Sequence, residues 1–324
     1  MTTHNLLERG YRFFTEPTSA APLTFMRIAV GLFALLQLLV LSPSFLDLYG
    51  STGFIEWVIS DELFRLRMLP ATIDLANRII PLGFTDQQAV LLIIGSYSLS
   101  LFLLVLGWRT RIMAVLAWFL HLTLNNTAIM FGYGVETFTH VSLFYLIFFP
   151  SAEYCALDRR AGRTGKKAFS TEAQLAIRLL QLHLCLVYFQ AGIAKMLGHD
   201  WWTGEAIWRT VAQPTYAQFD MTWISHIPWF AWSLSIGTLL IETFYPIYIW
   251  PKAFRPWWLL GTIGLHAGIF RFMGLRLFAT LMILLNLTAF GWSYMTQAWD
   301  WAKLRWPVLR GKPEVPPVPI ELVT

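Results

Sequence analysis

Residues 186–208 read LVYFQAGIAKMLGHDWWTGEAIW and place a lysine, Lys195, near the end of a long apolar run. The run starts near residue 171, and it is closed after Lys195 by Gly198 and a pair of tryptophans. A lysine at the end of a membrane helix either extends toward the lipid headgroups or is held inside the protein for a function. Which of these holds for Lys195 decides whether the protein is an enzyme.

The composition of the chain indicates an integral membrane protein. Apolar residues make up 56% of 324 residues and charged residues 13%, about half the charged fraction of a typical soluble domain. Aromatic residues reach 16% and include 16 tryptophans, which are enriched where rings lie at bilayer interfaces. The net charge of +5 comes from short loops between apolar runs. It therefore reports membrane orientation, and we expect the lipid bilayer and not nucleic acid as a partner.

Apolar runs of about the length that a spanning helix needs recur along the chain. We predict an all-α polytopic membrane protein, a bundle of about eight transmembrane helices with amphipathic interfacial helices in the outer loops. Residues 22–295 form one membrane domain, between a polar segment (1–21) and a basic, proline-rich cytoplasmic tail (296–324). The predicted spans are 22–46, 89–108, 111–131, 137–149 with a start near residue 133, 173–197, 228–250, 254–272 and 275–292.

The distribution of positive charge predicts the orientation. With eight spans and a cytoplasmic N-terminus, fifteen of the 24 lysine and arginine residues lie in cytoplasmic segments and six in outer ones. This positive-inside bias places both termini in the cytoplasm. The outer loops 48–88 and 198–227 contain amphipathic pieces that we expect to lie on the outer leaflet.

Six segments resemble a known family. They are LTFMRIAVG (23–31), LVLGWRTRI (104–112), FFPSAEYCALD (148–158), LVYFQAGIAKMLGHDWWTG (186–204), TLLIETFYPI (238–247) and GLHAGIFRFMGLRLF (264–278). Together they look like the membrane domain of vitamin K-dependent gamma-glutamyl carboxylases and of the bacterial proteins with the horizontally transferred transmembrane domain. The resemblance covers roughly residues 20–295, and the segment around Lys195 is the most specific part.

The resemblance implies a chemistry and a cofactor. In the animal carboxylases a quinol is oxidised to its epoxide, and the strong base so formed removes a proton from a glutamate side chain, to which carbon dioxide then adds. The family's catalytic lysine falls on Lys195, and its tryptophan falls on Trp201 after a one-residue insertion. The resemblance therefore implies a reduced quinone of the menaquinone or vitamin K type and a lyase or oxidoreductase activity.

The chain departs from those enzymes in two places. A histidine important to the carboxylases lies before the fourth span, where this chain reads FGYGVETFTH (131–140), with Glu136 and His140 near that position but displaced. The large lumenal domain that holds the protein substrate in those enzymes corresponds here to a short proline-rich tail. Both departures bring in a rival hypothesis, a non-catalytic accessory protein for the maturation or export of a small secreted peptide. A transporter is a third and weaker hypothesis.

The residues themselves support candidate catalytic groups. Desolvation disfavours the charged form of a lysine, so Lys195 in a dry pocket can accept a proton near neutral pH. Glu242 lies within an apolar run and needs a partner there, either Lys195, Arg178 or His266, or a proton. His266 matches a family histidine, and the alternative is a core histidine bonded to a neighbouring helix. Gly264 and Gly268 have the GxxxG spacing that allows close helix packing.

Further polar residues are candidates for lining an outward-facing cavity. Glu136 and His140 are four residues apart and share a helix face, as do His121 and Asn125 on the preceding span. Asp200 and Trp201 lie five and six residues after Lys195. The alternative for such residues is ordinary hydrogen bonding between helices. No motif has metal-ligand spacing, so we predict no metal site.

Overall fold

The computed structural model describes residues 3–164 and 169–305, and these form a helical bundle with one two-residue strand pair. The α-helices are α1 (Thr3–Thr15), α2 (Ala21–Leu41), α3 (Phe45–Tyr49), α4 (Trp57–Ile59), α5 (Thr72–Ile79), α6 (Asp86–Leu106), α7 (Thr110–Thr127), α8 (Gly134–Phe148), α9 (Leu157–Arg160), α10 (Thr171–Met196), α11 (His199–Thr203), α12 (Glu205–Ala212), α13 (Pro228–Tyr248), α14 (Arg255–Phe272), α15 (Arg276–Asn286) and α16 (Trp292–Arg305). Strands β1 (Thr18–Ser19) and β2 (Phe169–Ser170) pair antiparallel, with Thr18 opposite Ser170.

Shorter helical turns connect these elements. Four are 3₁₀ turns, Ser42–Ser44, Ile80–Leu82, Ile129–Phe131 and Thr222–His226, and two are π-helical, Ser60–Phe64 and Leu287–Gly291. Helix α2 lies near the centre, where it packs against α6, α8, α10 and α15. Helix α13 packs against α10 and α14, and α11 and α12 lie against α13 as well.

Five helical segments among the described residues are long and apolar enough to cross a membrane. They are Ala21–Tyr49, Asp86–Leu106, Thr171–Met196, Pro228–Tyr248 and Arg276–Arg305. The prediction of an all-α, multi-pass membrane protein is confirmed in this form. The other three predicted spans are also occupied by helices, namely α7, α8 and α14.

Helices are also present in the two segments that were predicted to flank the membrane domain. The segment before residue 21 contains α1, and the Phe13 carbonyl on α1 accepts hydrogen bonds from Gln174 and Arg178 on α10. The last predicted span does not stop at residue 292, because a π-helical turn carries the helix on to Arg305. The proline-rich part of the predicted tail lies outside the described residues.

A fully buried arginine fastens one end of the bundle, which we call the Asp158 end. Arg27 on α2 donates to the Ser151 carbonyl at 2.9 Å and to the Cys155 carbonyl at 2.7 Å. Gly107, with φ +69°, packs beside this arginine, and a Cβ on Gly107 would lie only 2.5 Å from the Cβ of Ala156. Arg27 therefore anchors the first long helix to the loops through backbone carbonyls.

Asp158 joins the same loops to the start of α7. Its carboxylate accepts from the backbone N–H groups of Arg109 and Thr110, from the Thr110 hydroxyl and from Arg163. Burial alone raises the pKa of Asp158, but the hydrogen bonds from Thr110, Arg109 and Arg163 outweigh it and bring the pKa below its ordinary value. Asp158 thus occupies the helix N-terminus as an ionised group.

Candidate functional site

Lys195 and Glu242 form an ion pair between α10 and α13. The Lys195 Nζ donates to the Glu242 Oε2 at 2.6 Å. The Glu242 side chain is only 7% exposed and the Lys195 side chain 26% exposed. Of the partners predicted for Glu242, the structure selects Lys195. The lysine is therefore turned inward to a carboxylate rather than outward from the bundle.

A glycine brings the two helices close enough for this bond. A Cβ placed on Gly192 would lie 2.5 Å from the Thr243 Oγ1 and 2.6 Å from the Thr243 backbone nitrogen. Gly192 precedes Lys195 by less than one helical turn, and Thr243 follows Glu242 directly. Gly264 and Gly268, whose GxxxG spacing would allow close helix packing, make no such contact within the described chain, since no described atom lies within 4 Å of a Cβ at either position.

The segment that follows α10 covers Lys195. Glu242 lies 14 residues into α13, about 21 Å along its axis, so α13 extends well past the level of the ion pair. The α11–α12 segment packs on this extension: the Trp201 carbonyl accepts from the Ser235 hydroxyl at 2.5 Å, and Gly204 abuts the Trp232 backbone. The Trp201 ring centroid lies 5.4 Å from the Lys195 Nζ, within reach of a cation–π contact.

A separate buried hydrogen-bond network lies beside the ion pair on the same helices. Tyr245 donates to the Asn286 Oδ1 at 2.7 Å, Asn286 Nδ2 donates to the Tyr188 hydroxyl at 2.8 Å, and Tyr188 meets the His266 Nε2 at 2.8 Å. Because Tyr188 accepts from Asn286, its own proton is free for His266 Nε2, which favours the tautomer with the ring proton on Nδ1. That Nδ1 is buried and has no partner among the described residues.

Helix periodicity places the network and the ion pair on the same faces. Tyr188 precedes Lys195 by seven residues, two turns of α10, and Tyr245 follows Glu242 by three on α13. The Tyr188 and Tyr245 rings stack with their centroids 4.3 Å apart. The structure also places Lys195 within electrostatic range of His266, and Glu242 within range of Tyr188. We call the group Lys195, Glu242, Tyr188, Tyr245, His266 and Asn286 the Lys195 cluster.

The other predicted cavity residues form a second cluster on α7 and α8. Glu136, His121 and Asn125 line a cavity of about 30 Å³. Gln37 donates to the Glu136 Oε1 at 3.1 Å, and the Tyr133 backbone N–H donates to the Oε2 at 2.7 Å. His140 does not line this cavity but stacks on His121, with ring centroids 5.6 Å apart. We call Glu136, His121, His140, Asn125, Gln37, Tyr49, Tyr97 and Trp118 the Glu136 cluster.

Aromatic rings separate the two clusters. Phe278 on α15 contacts His266 of the Lys195 cluster at 5.7 Å between ring centroids and Phe138 on α8 at 6.1 Å. Phe138 lies between Glu136 and His140 on α8. The predicted site residues therefore do not converge on one cavity. Asp200 belongs to neither cluster, because it is paired with Arg209 at 2.9 Å on the exposed α11–α12 segment.

A larger cavity, of about 440 Å³, lies at the Asp158 end. Arg109, Arg111 and Arg163 line it together with Asp158, Glu153 and Glu172. The positive and negative side chains that line this cavity are equal in number, and the Asp158 carboxylate is already bonded to neighbouring residues. We take the Lys195 cluster and not this larger cavity as the candidate site, because the cluster combines a buried carboxylate, a lysine and an imidazole nitrogen without a partner among the described residues.

Sequence reasoning missed Tyr188, Tyr245 and Asn286, which form a hydrogen-bonded network with His266 beside the ion pair. It also missed a second tyrosine–histidine contact, Tyr145 to His183 at 2.8 Å. In a single apolar run, such residues look like ordinary core positions. The signal that could have revealed the two tyrosines is their spacing from the charged residues, 188 to 195 and 242 to 245. This spacing places each tyrosine on the same helix face as a charged residue.

The fold and the site define a class: a polytopic α-helical membrane protein with a buried ion pair and two separate polar clusters. Comparison with protein-family models, with curated proteins and with solved structures finds no significant match for this chain. Among the described residues, no three histidine, cysteine, aspartate or glutamate side chains converge closely enough to hold a metal ion.

Proposed function

We propose that this protein is a membrane-embedded enzyme in which Lys195 acts as a base toward a lipid-soluble quinol or a similar substrate. The observation that carries the proposal is the 2.6 Å bond between Lys195 and Glu242. A carboxylate inside a membrane bundle is costly unless it is paired, and such residues mark functional sites by default. The resemblance around Lys195 adds the substrate class.

The ion pair supplies a base through its own hydrogen bond. Transfer of a proton from the Lys195 Nζ to the Glu242 Oε2 breaks one N–H bond, forms one O–H bond and leaves a neutral amine. A low-dielectric environment favours this neutral pair relative to water. The amine then accepts the proton of a substrate hydroxyl, so Lys195 becomes positively charged beside the new oxyanion and stabilises it.

The surrounding groups offer two kinds of contact to a hydroxylated aromatic ring. Trp201 offers a flat apolar face next to the Lys195 ammonium, and the unpartnered His266 Nδ1 offers a buried hydrogen-bond donor. Lys195 would bind one hydroxyl, and His266 would orient the ring. When bound, a quinol supplies an acidic hydroxyl and the electrons for reduction of oxygen.

Turnover of a defined quinol tests the proposal. Purified protein in lipid nanodiscs is given reduced menaquinone or reduced vitamin K and oxygen, and the loss of quinol and the appearance of epoxide or quinone are followed. We expect protein-dependent product that is lost in Lys195→Met and kept in Asp200→Asn, which changes only the exposed pair with Arg209. Product formation equal to that of protein-free nanodiscs with both quinols would contradict the proposal.

We also propose eight spans with both termini in the cytoplasm, which rests on the positive-inside bias. In this topology the Asp158 end is cytoplasmic. Cys155 is exposed at that end, whereas Cys185 is buried. We expect a membrane-impermeant thiol reagent on intact cells to miss Cys155 and to label Met68→Cys, at a 99% exposed position in the outer loop. Labelling of Cys155 from outside would show that the orientation is the reverse of the one proposed.

A second candidate function is that of an accessory protein for the maturation or export of a small secreted peptide. The observation that favours it is the apolar surface before α5, where Met68 is 99% exposed and Val58 and Leu63 are each 71% exposed. Crosslinking from Met68→Cys to one secreted peptide in cells, together with absence of quinol turnover, would support this function. Crosslinking only to lipid would contradict it.

A further inference from the structure

The Glu136 cluster contains polar atoms that no described residue satisfies. The Tyr97 hydroxyl, the His121 Nδ1, the His140 Nδ1 and the Trp118 Nε1 are all buried and lack a hydrogen-bond partner within the described part of the chain. Tyr97 is only 3% exposed and His121 6%. Buried polar groups in native proteins are almost always bonded, if not to protein then to ordered water. Two of these unpartnered atoms, the Tyr97 hydroxyl and the His121 Nδ1, belong to residues that line the same cavity, which points to a ligand from outside the chain.

The size of the cavity decides what kind of ligand this is. Tyr97 and His121 both line the cavity of about 30 Å³, together with Gln37, Tyr49 and Glu136. A water molecule needs about 10–15 Å³ of such space, whereas a cavity that takes up benzene measures about 150 Å³. Six of its ten lining residues carry a polar group, whereas cavities that stay empty are apolar. The space therefore suits about two water molecules and excludes a ring.

We propose that this pocket holds about two water molecules that relay protons between the Glu136 carboxyl group and His121. Glu136 is held in place at both oxygens, by Gln37 and by the Tyr133 backbone, and it lies in the first turn of α8, at the opposite end of the bundle from Asp158. His121 is the deeper group, and its Nδ1 has no other partner in the described structure.

The relay moves protons and no electrons. The Glu136 carboxyl group gives its proton to a water molecule, and that molecule passes a different proton to the His121 Nδ1. One O–H bond breaks and one O–H or N–H bond forms at each step. The titratable groups that face the pocket are Tyr49 on α3, Tyr97 on α6, His121 on α7 and Glu136 on α8, with His140 stacked behind His121.

This pocket acts independently of Lys195. Phe278 and Phe138 lie between the clusters, so the hydration of His121 does not depend on whether Lys195 is catalytic. His266 is a matched control within the same protein, because its Nδ1 is also buried and unpartnered but it borders neither of the two cavities described above.

Solid-state NMR of ¹⁵N-histidine-labelled protein in lipid bilayers tests the hydration. His121→Phe and His266→Phe assign the two signals. In spectra that transfer magnetisation from water, we expect a strong His121 signal and a weak His266 signal. A His121 signal as weak as that of His266 would overturn the proposal.

Two substitutions test the relay and the hydrogen bonds to water. Glu136→Gln keeps the shape but carries no exchangeable acid proton, so the exchange of the His121 ring proton with deuterated water should slow on the order of a hundredfold. An unchanged rate would overturn the relay. Tyr97→Phe removes one hydrogen bond to water and should lower the melting temperature by about 2 °C. A higher melting temperature would show that the hydroxyl was unpartnered and would overturn the hydration.

Discussion

The Lys195 cluster and the Glu136 cluster use nearly the same residue types in opposite ways. Each contains a carboxylate, tyrosines, histidine and a side-chain amide. In the Lys195 cluster the side chains bond directly to one another, and within the described chain the His266 Nδ1 is its only fully buried polar atom without a partner. In the Glu136 cluster rings stack against each other, and four buried polar atoms have no partner among the described residues.

Helix packing explains the difference. Gly192 lets α10 and α13 approach until Lys195 and Glu242 meet directly. Between α7 and α8 the bulky rings of Trp118, His121 and His140 fill the space instead, and their edges are left to bond to something outside the chain. Residue type alone therefore does not define a polar site in a membrane bundle. The side chains that fill the space between two helices decide whether the site becomes a fixed network or a pocket.

Removal of the lysine should have the largest effect on stability. Lys195→Met leaves Glu242, 7% exposed, without its partner, and we expect a loss of roughly 3–5 kcal/mol in the free energy of unfolding. The double variant Lys195→Met/Glu242→Gln should recover part of this loss, because no buried charge remains. Denaturant unfolding in lipid measures both. A single variant as stable as wild type would contradict the account of a tightly coupled pair.

Separation of α10 from α13 should have the next largest effect. Gly192→Ala places a methyl group against the Thr243 backbone, and overpacking of this kind costs roughly 1–3 kcal/mol. Gly268→Ala is the matched control, since its Cβ meets open space, and we expect it to change stability by no more than about 0.5 kcal/mol. Equal effects of the two substitutions in thermal unfolding would contradict the role given to Gly192.

Loss of a single hydroxyl from the network should be smaller. Tyr245→Phe removes the donor to the Asn286 Oδ1 and leaves that buried oxygen unpaired, at a cost of about 1–2 kcal/mol. Tyr245→Phe should also reduce quinol turnover, because Asn286 then holds Tyr188 less firmly. Thr238→Ala, on an exposed face of the same helix, is the control. A Tyr245→Phe protein identical to wild type in both measurements would show that the network is not required.

The smallest effect concerns Asp158, a carboxylate outside the spans whose bonds are made to protein, as in the Lys195 cluster. Because its pKa is lowered in the folded protein, its contribution is fully present above the ordinary aspartate value of about 4 and is lost as the pH falls through the folded-state pKa. The free energy of unfolding of Asp158→Asn should therefore be lower than that of wild type at neutral pH, and the difference between the two proteins should disappear as the pH is lowered. A difference in stability that does not change with pH would contradict an ionised Asp158.

The helices were largely predictable from the sequence, and the polar connections between them were not. Long apolar runs define most helices to within a few residues, and glycines with positive φ, Gly107 and Gly274, end two of them. Inside an apolar run Glu242 needs either a proton or a partner, and the sequence limited the possible partners to Lys195, Arg178 and His266. Glu242 pairs with Lys195 because Gly192 lets the two helices approach each other. The GxxxG spacing at Gly264 does not reveal which face of its helix turns inward.

The hydrated pocket was only half predictable. The spacing of Glu136 with His140, and of His121 with Asn125, correctly placed each pair on one helix. Gln37 and Tyr97 come from helices far away in the chain, and no local pattern marks them. Helix α1 was missed because it is short and polar, and its contacts with α10 depend on the tertiary fold.

The most direct test of the catalytic role of Lys195 is the Lys195→Arg variant. Arginine keeps the positive charge and can bind Glu242, but it does not act as a proton acceptor. Melting temperature and quinol turnover are measured for Lys195→Arg and wild type side by side in the same nanodiscs. The account predicts a melting temperature close to that of wild type and a turnover rate lower on the order of a hundredfold or more. A stable Lys195→Arg protein that turns over quinol at the wild-type rate would contradict it.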